Sequence, residues 1–323
     1  MADLKEYAEL FEKLKGGEVV VPQSREEAFR LAFLNAMSGG TISMDQLELT
    51  METNMISMPS LIYDFIRGSA VVYNNEIHIL GCNFMGTNHY KYDGSSWTEV
   101  SSLPYAFNSG LAVVYNNEIH ILGGRSGESK HYKYDGSSWT EVSTLPYAFH
   151  NGSAVVYNDE IHILGGVSNY KGVTKHYKWN GMEWAEVSTL PYGFSYGSAV
   201  VYSNEIHILG GSSGESKCYK YDGSSWTEIS TLPYSFNYGS AVVYNNEIHI
   251  LGGSSDTTYT DKHYKWDGST WIKLSDLHNL LKDGSAVVYS NEIHILGGEY
   301  ASRCHYRIFN SIRKLYTIKE SKN

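Results

Sequence analysis

The sequence predicts an all-β protein, a six-bladed β-propeller, preceded by a short N-terminal helical segment. One stretch, GSAVVYNNEIHILGG at residues 239–253, recurs six times in nearly the same form within 323 residues. The copies follow one another at steps of 42 or 45 residues, a period typical of repeat architectures in which each copy is one structural unit. The six copies begin at Gly68, Gly110, Gly152, Gly197, Gly239 and Gly284.

Each copy is expected to supply four short antiparallel strands. SAVVY and EIHIL are strand-like, and the Asn-Asn, Asn-Asp or Ser-Asn pairs between them tolerate the positive φ of tight hairpin turns. The following Gly-Gly pair permits a bend and a close backbone approach. Segments such as HYKYDGSSWTEVSTLPY at 131–147 then supply strands three and four, which turn at DGSS. Four strands in about 42 residues, without a helical period, describe one propeller blade.

The blades are expected to pack face to face, because one blade cannot bury both of its faces alone. The apolar run AVVY indicates an inner strand that is covered on both sides. One large aromatic residue recurs in strand four and is predicted to fill the gap between adjacent blades. These residues are Trp97, Trp139, Trp184, Trp226 and Trp271.

The repeat resembles the kelch motif. The resemblance rests on the Gly-Gly pair after an Ile-rich strand, followed by YDGSSW as at 134–139, and it extends over residues 55–309. Six copies therefore resemble a six-bladed kelch propeller. Cys82 replaces the second Gly in the first copy, and the last copy lacks DGSSW. Where kelch repeats often carry Arg after the Pro that follows strand four, this chain has Phe107, Phe149, Phe194 and Phe236.

The ends of the propeller, expected at residues 53–318, should meet in the last blade. The sixth copy loses its fourth-strand signature after His305, which would leave an open sheet edge. A shift of 42 residues superimposes the apolar positions of 55–65 on those of the first copy's fourth strand. Residues 55–62 are therefore predicted to be the outer strand of the last blade. The rival is the segment at 311–319, whose alternation is poorer.

Residues 1–52 do not repeat and are predicted to form two short helices. The stretch at 3–17 has apolar residues at helical spacing and ends at Gly-Gly, and the stretch at 24–40 opens with a capping box at Ser24 and Glu27. Two short helices cannot bury their apolar faces alone, so docking on the ring, self-association and attachment to a carrier protein all stay open.

The net charge of the chain argues against some classes of binding partner. The net charge is −10, which disfavours nucleic acid and anionic membrane surfaces. The first residues show no export signal and no apolar run is long enough for a membrane span, so a cytoplasmic location is the expectation. Three cysteines without CxxC spacing predict neither a disulfide framework nor a zinc site.

Eleven of the 13 histidines fall at two repeated positions, in EIH of strand two and at the start of strand three. They are interpreted as buried, hydrogen-bonded structural groups that ring symmetry keeps mostly far from one another. No metal, cofactor or catalytic residue is therefore predicted.

The loops after strands two and four, which share one face of the propeller, are where the copies differ. Divergence there, beside nearly invariant turns on the other face, predicts a ligand-binding face. Its tyrosines, with Ser, Gly and Asn, resemble the composition of antibody paratopes. The residues predicted to bind ligand are Arg125, Tyr170, Tyr196, Tyr238, Tyr259, Tyr300 and Arg303.

Three functions stay open at this point. The first, which the kelch resemblance also implies, is a non-enzymatic recognition module that binds a protein or a glycan. The second is a sugar-active enzyme, because some six-bladed kelch proteins are similar to sialic-acid mutarotases, which need Arg and Glu near the ring axis. Candidates for that chemistry are Arg67, Arg125, Arg303, Glu128 and Glu299. The third is a structural part of a virion or surface assembly.

Overall fold

The fold was obtained as a computed structural model, which describes residues 50–82, 86–125, 129–168, 171–211, 216–255 and 258–313. The chain divides into a unit of Met55–Ile308 and a second unit of Met1–Asn54 with Phe309–Asn323. Of the second unit, only residues 50–54 and 309–313 are described, as parts of two strands that continue into the first unit.

The described residues form 28 strands, which in chain order are β1 (Thr50–Ser57), β2 (Ser69–Tyr73), β3 (Glu76–Cys82), β4 (Gly86–Tyr92), β5 (Trp97–Glu99), β6 (Leu111–Tyr115), β7 (Glu118–Leu122), β8 (Lys130–Tyr134), β9 (Trp139–Thr144), β10 (Ser153–Tyr157), β11 (Glu160–Leu164), β12 (Val167–Ser168), β13 (Lys171–Gly172), β14 (His176–Trp179), β15 (Trp184–Glu186), β16 (Ser198–Tyr202), β17 (Glu205–Leu209), β18 (Cys218–Tyr221), β19 (Trp226–Glu228), β20 (Ser240–Tyr244), β21 (Glu247–Leu251), β22 (Ser254–Ser255), β23 (Thr258–Tyr259), β24 (His263–Trp266), β25 (Trp271–Lys273), β26 (Ser285–Tyr289), β27 (Glu292–Leu296) and β28 (His305–Arg313).

These strands build six four-stranded antiparallel sheets, so the fold is an all-β six-bladed propeller. Blades 1 to 6 have the strand orders β2-β3-β4-β5, β6-β7-β8-β9, β10-β11-β14-β15, β16-β17-β18-β19, β20-β21-β24-β25 and β26-β27-β28-β1. Two extra hairpins, β12-β13 and β22-β23, occupy the longer loops after the second strands of blades 3 and 5.

The innermost strands β2, β6, β10, β16, β20 and β26 contact one another in that order, and β26 contacts β2, so the ring is closed. Serine side chains link neighbouring inner strands. The amide of Ala112 donates to Ser69 Oγ, and the amide of Ala286 donates to Ser240 Oγ, each at 3.0 Å. The hydrophobic core lies between blades: Val71 and Leu80 of blade 1, for example, pack with Ile119 of blade 2.

The segment before the ring supplies the outermost strand of blade 6, although not at the expected residues. Strand β1 ends at Ser57, so it overlaps the predicted 55–62 only in part. Pro59, which has no N–H to donate, explains why regular pairing stops there. The chain still follows β28, because the amides of Met58 and Leu61 donate to the carbonyls of His305 and Arg303 at 2.8 and 2.9 Å.

The predicted N-terminal helical segment, 1–52, is wrong as part of this fold. The described residues contain no helix, hence none that could span a membrane, and residues 50–52 belong to β1. Pairing with β28 gives this stretch backbone hydrogen-bond partners that a short helix would have to find within itself. The stretches 3–17 and 24–40 lie outside the described residues.

The repeated histidines are buried as predicted, but the expectation that they lie far apart is wrong. In five blades, Nδ1 of the strand-two histidine lies 2.8–2.9 Å from Nε2 of the strand-three histidine. In blade 4, Cys218 stands where the second histidine would be, opposite Leu209. No group of three or more His, Cys, Asp or Glu placed to hold a metal occurs within the described ranges. The pairs are His78–His89, His120–His131, His162–His176, His249–His263 and His294–His305.

The repeated tryptophans lie against the neighbouring blade. The ring of Trp139 in blade 2 is 5.6 Å from that of His89 in blade 1, and Trp97 in blade 1 is 5.4 Å from His305 in blade 6. The histidine pairs of blades 1, 2, 3 and 6 therefore contact aromatic rings of the next blade.

Candidate functional site

Six residues, one from each blade junction, surround one mouth of the axial channel, and we call them the mouth ring. Each directly precedes the glycine that opens a repeat. They line a cavity of about 120 Å³, together with those glycines and Leu111. The mouth ring consists of Arg67, Ser109, Asn151, Tyr196, Tyr238 and Asp283.

Backbone hydrogen bonds join the mouth ring into a closed circle. The amide of each member donates to the carbonyl of the member before it, and the amide of Arg67 donates to the carbonyl of Asp283. The six N···O distances are 2.7–2.9 Å. Because the circle uses only main-chain groups, the fold fixes the position of each residue without choosing its side chain.

All six members have a positive φ, between 54° and 60°. Asn or Gly adopts this conformation cheaply, whereas a bulky residue there is a genuine outlier. Asn151 shows that the cheap choice fits this ring. The tyrosines at 196 and 238 occupy the same backbone geometry at a conformational cost, of the kind that clusters at functional sites.

The residue after each ring member must be glycine because a large buried side chain, Phe at five junctions and Leu at the sixth, lies against it. A Cβ on Gly68 would collide with the ring of Phe65 and lie 2.7 Å from the carbonyl oxygen of Leu80. Phe65 is fully buried, as are the phenylalanines at the equivalent positions of four other junctions; Leu281 replaces them at the sixth. The local sequence Phe-x-x-Gly therefore holds the intervening ring member at the mouth.

Below the mouth, the axial channel is lined by valines of the inner strands. Val71 and Val72 of β2 and their counterparts line a cavity of about 400 Å³. The channel wall is thus apolar, and the polar groups of this end are concentrated in the mouth.

Tyrosines from blades 4, 5 and 6 stack along one side of the mouth around one lysine, and we call this set the tyrosine column. The rings of Tyr196 and Tyr238 are 4.6 Å apart, and those of Tyr259 and Tyr300 are 5.4 Å apart. Lys282 Nζ lies between the two pairs, 5.7 Å from the Tyr238 ring and 4.2 Å from the Tyr259 ring. Stacking and cation–π attraction therefore hold the column together.

The charges at the mouth are paired. Arg67 Nε lies 3.1 Å from Asp283 Oδ2, and Lys282 forms an ion pair with Glu299 and donates to the Tyr259 hydroxyl at 3.0 Å. Burial raises the pKa of the Asp283 carboxyl, although Arg67 opposes this. Burial disfavours the charge of Lys282, but its bonds to Glu299 and Tyr259 prevail and raise its pKa. The two cations and two carboxylates cancel, so the mouth carries no net charge.

The structure brings four of the seven predicted binding residues together: Tyr196, Tyr238, Tyr259 and Tyr300 form the tyrosine column. Arg303 is not part of it. It is exposed and forms an ion pair with the exposed Asp64 at 2.9 Å.

Arg125 is exposed in the loop after the second strand of blade 2, where its amide donates to Asn108. It does not line the mouth cavity. Tyr170 and Glu128 lie outside the described residues.

The predicted binding set missed several mouth residues, namely Ser109, Asn151, Lys282 and Asp283; Arg67 and Glu299 were considered only for an enzyme. The signal was present, because the residue before each repeat glycine differs from copy to copy in an otherwise nearly constant repeat. Amino-acid composition identifies only the tyrosines, whereas the position directly before the repeat glycine identifies all six members of the mouth ring.

Comparison with known proteins supports the fold alone. No protein-family model matches the sequence, and no curated protein matches it. Among solved structures, the chain is similar to YjhT with a TM-score of 0.68 and 16% sequence identity, a match that covers 79% of this chain and 99% of that one. At this identity the similarity extends to the propeller architecture and to nothing finer.

Proposed function

We propose that this protein is a non-enzymatic recognition module that binds a protein or glycan ligand at the mouth ring and the adjacent tyrosine column. The observation that carries the proposal is the mouth ring itself. Six side chains of five different types converge on one cavity from positions with the same backbone geometry, in a protein whose repeats are otherwise nearly copies. Drift alone does not account for two tyrosines at positive φ, where smaller residues cost less.

The pairing of charges favours binding over catalysis. A general acid or base must be able to exchange a proton with the substrate. The two carboxylates beside the mouth cavity, those of Asp283 and Glu299, are held in ion pairs with Arg67 and Lys282. A sugar-active enzyme is the competing function, and acceleration of anomer exchange in a soluble sugar would support it.

We also infer that the blades are of kelch type. Both glycines of the repeated pair have positive φ in blades 2 to 6, as at Gly165 and Gly166. The first approaches the carbonyl of Phe194 so closely that a Cβ would collide with it. This gives a physical reason for the Gly-Gly pair on which the resemblance rests.

The experiment that tests the function is a binding screen of the full chain against immobilised glycans and peptides, followed by two variants. The double variant Tyr196→Ala/Tyr238→Ala should weaken binding by about 2 kcal/mol or more, because aromatic anchors in a concave centre dominate such sites. Its melting temperature should stay near that of the parent, since neither tyrosine belongs to the repeated core.

The matched control is Asn246→Gly, in the turn between β20 and β21 on the opposite face. Glycine tolerates the φ of 58° at this position, so the hairpin should persist. Binding should be unchanged. If Asn246→Gly lost binding while the tyrosine double variant retained it, the ligand would bind at the opposite face and the proposal would be wrong.

A further inference from the structure

The two sides of the mouth differ in what they leave available. On the side of blades 5, 6 and 1, the charged groups are already engaged: Arg67 with Asp283, and Lys282 with Glu299 and Tyr259. A ligand that paired with one of these charged groups would first have to break an existing contact, which costs free energy. Binding on this side is therefore less favourable.

Within the tyrosine column, the two inner rings each have a neighbour on both sides, whereas the two end rings do not. Tyr238 lies between Tyr196 and Lys282, and Tyr259 lies between Lys282 and Tyr300. Tyr196 lines the mouth cavity, and within the described part of the chain Tyr238 is its single aromatic ring neighbour. Tyr300, at the far end, is 53% exposed and does not line the mouth cavity.

On the side of blades 2 to 4, the mouth offers uncharged polar groups next to Tyr196. Asn151 contacts His150 through its amide nitrogen at 2.8 Å and retains its carbonyl oxygen and a second N–H. The Ser109 hydroxyl donates to Asn108 at 2.6 Å and retains acceptor capacity. Donors and acceptors are therefore both present beside an aromatic face, with no net charge.

The volume of the mouth cavity matches a ligand unit of one ring. Pockets for drug-sized molecules are typically about 300–1,000 Å³, whereas a cavity of about 150 Å³ accommodates benzene. The mouth cavity, at about 120 Å³, is of the second kind. A longer ligand would place a single small unit in the cavity and keep the rest of its length outside.

We propose that this unit is an uncharged sugar ring, the terminal residue of a neutral glycan, which stacks on the Tyr196 ring in the mouth cavity and hydrogen-bonds to Asn151 and Ser109. The proposal rests on the proposed function and names its ligand class. The C–H face of a pyranose complements the negative face of an aromatic ring, and its hydroxyls both donate and accept. An acidic sugar would place its charge near Asp283 and Glu299 without an unpaired cation to receive it. A purely apolar ring would leave Asn151 and Ser109 without partners, which costs free energy when water is excluded.

The test uses the full chain and a defined panel: methyl glycosides of glucose, galactose, mannose and N-acetylglucosamine, with glucuronate as the acidic counterpart of glucose, titrated by calorimetry. We expect at least one neutral glycoside to bind and glucuronate to bind at least about tenfold more weakly than glucose. Tyr196→Ala should weaken neutral binding by about tenfold or more, and Tyr196→Phe, which keeps the ring face, should restore it. Asn246→Gly, in the turn on the opposite face, should change binding less than twofold.

Asp283→Asn provides a gain-of-function arm. It removes the carboxylate that neutralises Arg67 while keeping the side-chain shape, so glucuronate binding should strengthen relative to glucose. Far-UV circular dichroism and the melting temperature of each variant establish that it is folded.

Three results would overturn the proposal: stronger binding of glucuronate than of glucose by the parent protein, equal effects of Tyr196→Ala and Asn246→Gly on sugar binding, or no binding of any sugar in the panel. In the last case, binding of peptides that is lost in the Tyr196→Ala/Tyr238→Ala variant would leave the proposed function standing. Binding that maps to the turn at Asn246 would overturn both.

Discussion

The buried histidines should make the propeller unfold at mildly acidic pH. Burial lowers the pKa of the strand-two histidines to about 4. Burial, together with the adjacent histidine, lowers the pKa of the strand-three histidines to about 3. Nearby carboxylates such as Glu76, whose Oε2 lies 3.9 Å from His78 Nε2, act in the opposite direction without reversing the shift.

The direction of the pH effect follows from these shifts. In the unfolded chain each histidine binds a proton near pH 6.5, whereas in the folded chain it stays neutral down to about pH 4. The unfolded state therefore binds more protons in this window, and stability falls as the pH drops from 6.5 towards 4. At pH 5 the loss is about 2 kcal/mol for each histidine, since one pH unit corresponds to about 1.4 kcal/mol.

The chain buries six strand-two and five strand-three histidines, eleven in all. These losses all act in the same direction, and a few of them together equal the 5–15 kcal/mol by which most proteins are stable. We therefore expect the midpoint of acid unfolding between about pH 5 and pH 6, followed by tryptophan fluorescence and far-UV circular dichroism. The aspartates of the DGSS-type turns do not contribute in this range, because hydrogen bonds lower their pKa to about 2 and they act below pH 4.

Two variants separate the histidine effect from a general acid effect. His131→Cys copies the natural arrangement of blade 4, where Cys218 replaces the second histidine, and it should reduce the proton uptake on unfolding by about one. The control is His278→Gln, which removes an exposed histidine and leaves every buried histidine pair intact, so the slope should stay that of the parent. Proton uptake is obtained from the slope of the unfolding free energy against pH. A protein that remains native at pH 4.5, or a slope that His131→Cys does not alter, would refute this account.

Two further predictions concern the stability of the propeller. Deletion of residues 1–62 removes β1, the outermost strand of blade 6, and should lower the melting temperature by about 5 °C or more; an unchanged value would show that β1 does not stabilise the ring. Gly165→Ala should lower the free energy of unfolding by about 2 kcal/mol or more, because φ is +68° and the new Cβ would collide with the carbonyl of Phe194, whereas Gly94→Ala, whose Cβ would lie 3.3 Å from the Tyr289 hydroxyl, should cost less. Urea unfolding of the two glycine variants measures the difference, and equal losses would contradict the role assigned to the collision.

The blades were predictable because their determinants are local. SAVVY and EIHIL at 240–251 become β20 and β21 at the expected residues, and the turn between them has the positive φ that its Asn-Asn pair favours. The bounds of β1 were less accessible. A shift by one repeat located the segment, but the effect of Pro59 on its pairing depends on the partner strand.

The histidine pairs could not be derived from spacing along the chain, because they depend on register between strands. His78 lies opposite Lys91, and His89 lies opposite Leu80, so the two histidines are diagonal neighbours. Knowledge of one cross-strand pair, such as Ile77 with Tyr92, would have been sufficient to place them together. The tyrosine column is harder still to predict. Tyr196 and Tyr238 share the position before a repeat glycine, but Tyr259 and Tyr300 come from loops that no repeated signal relates to that position.

The mouth ring shows how a protein of near-copied repeats can hold a specific site. Each blade must supply a main-chain N–H and C=O to the circle and a glycine to accommodate the buried Phe or Leu, and these demands are the same at every junction. The ring side chain meets no such demand, because the circle forms through the backbone and the side chain lies at the cavity. Substitution there changes the mouth without disturbing the packing between blades. Arg, Ser, Asn, Tyr and Asp consequently share one backbone position in this chain, and differences among them can set ligand specificity while the fold stays constant.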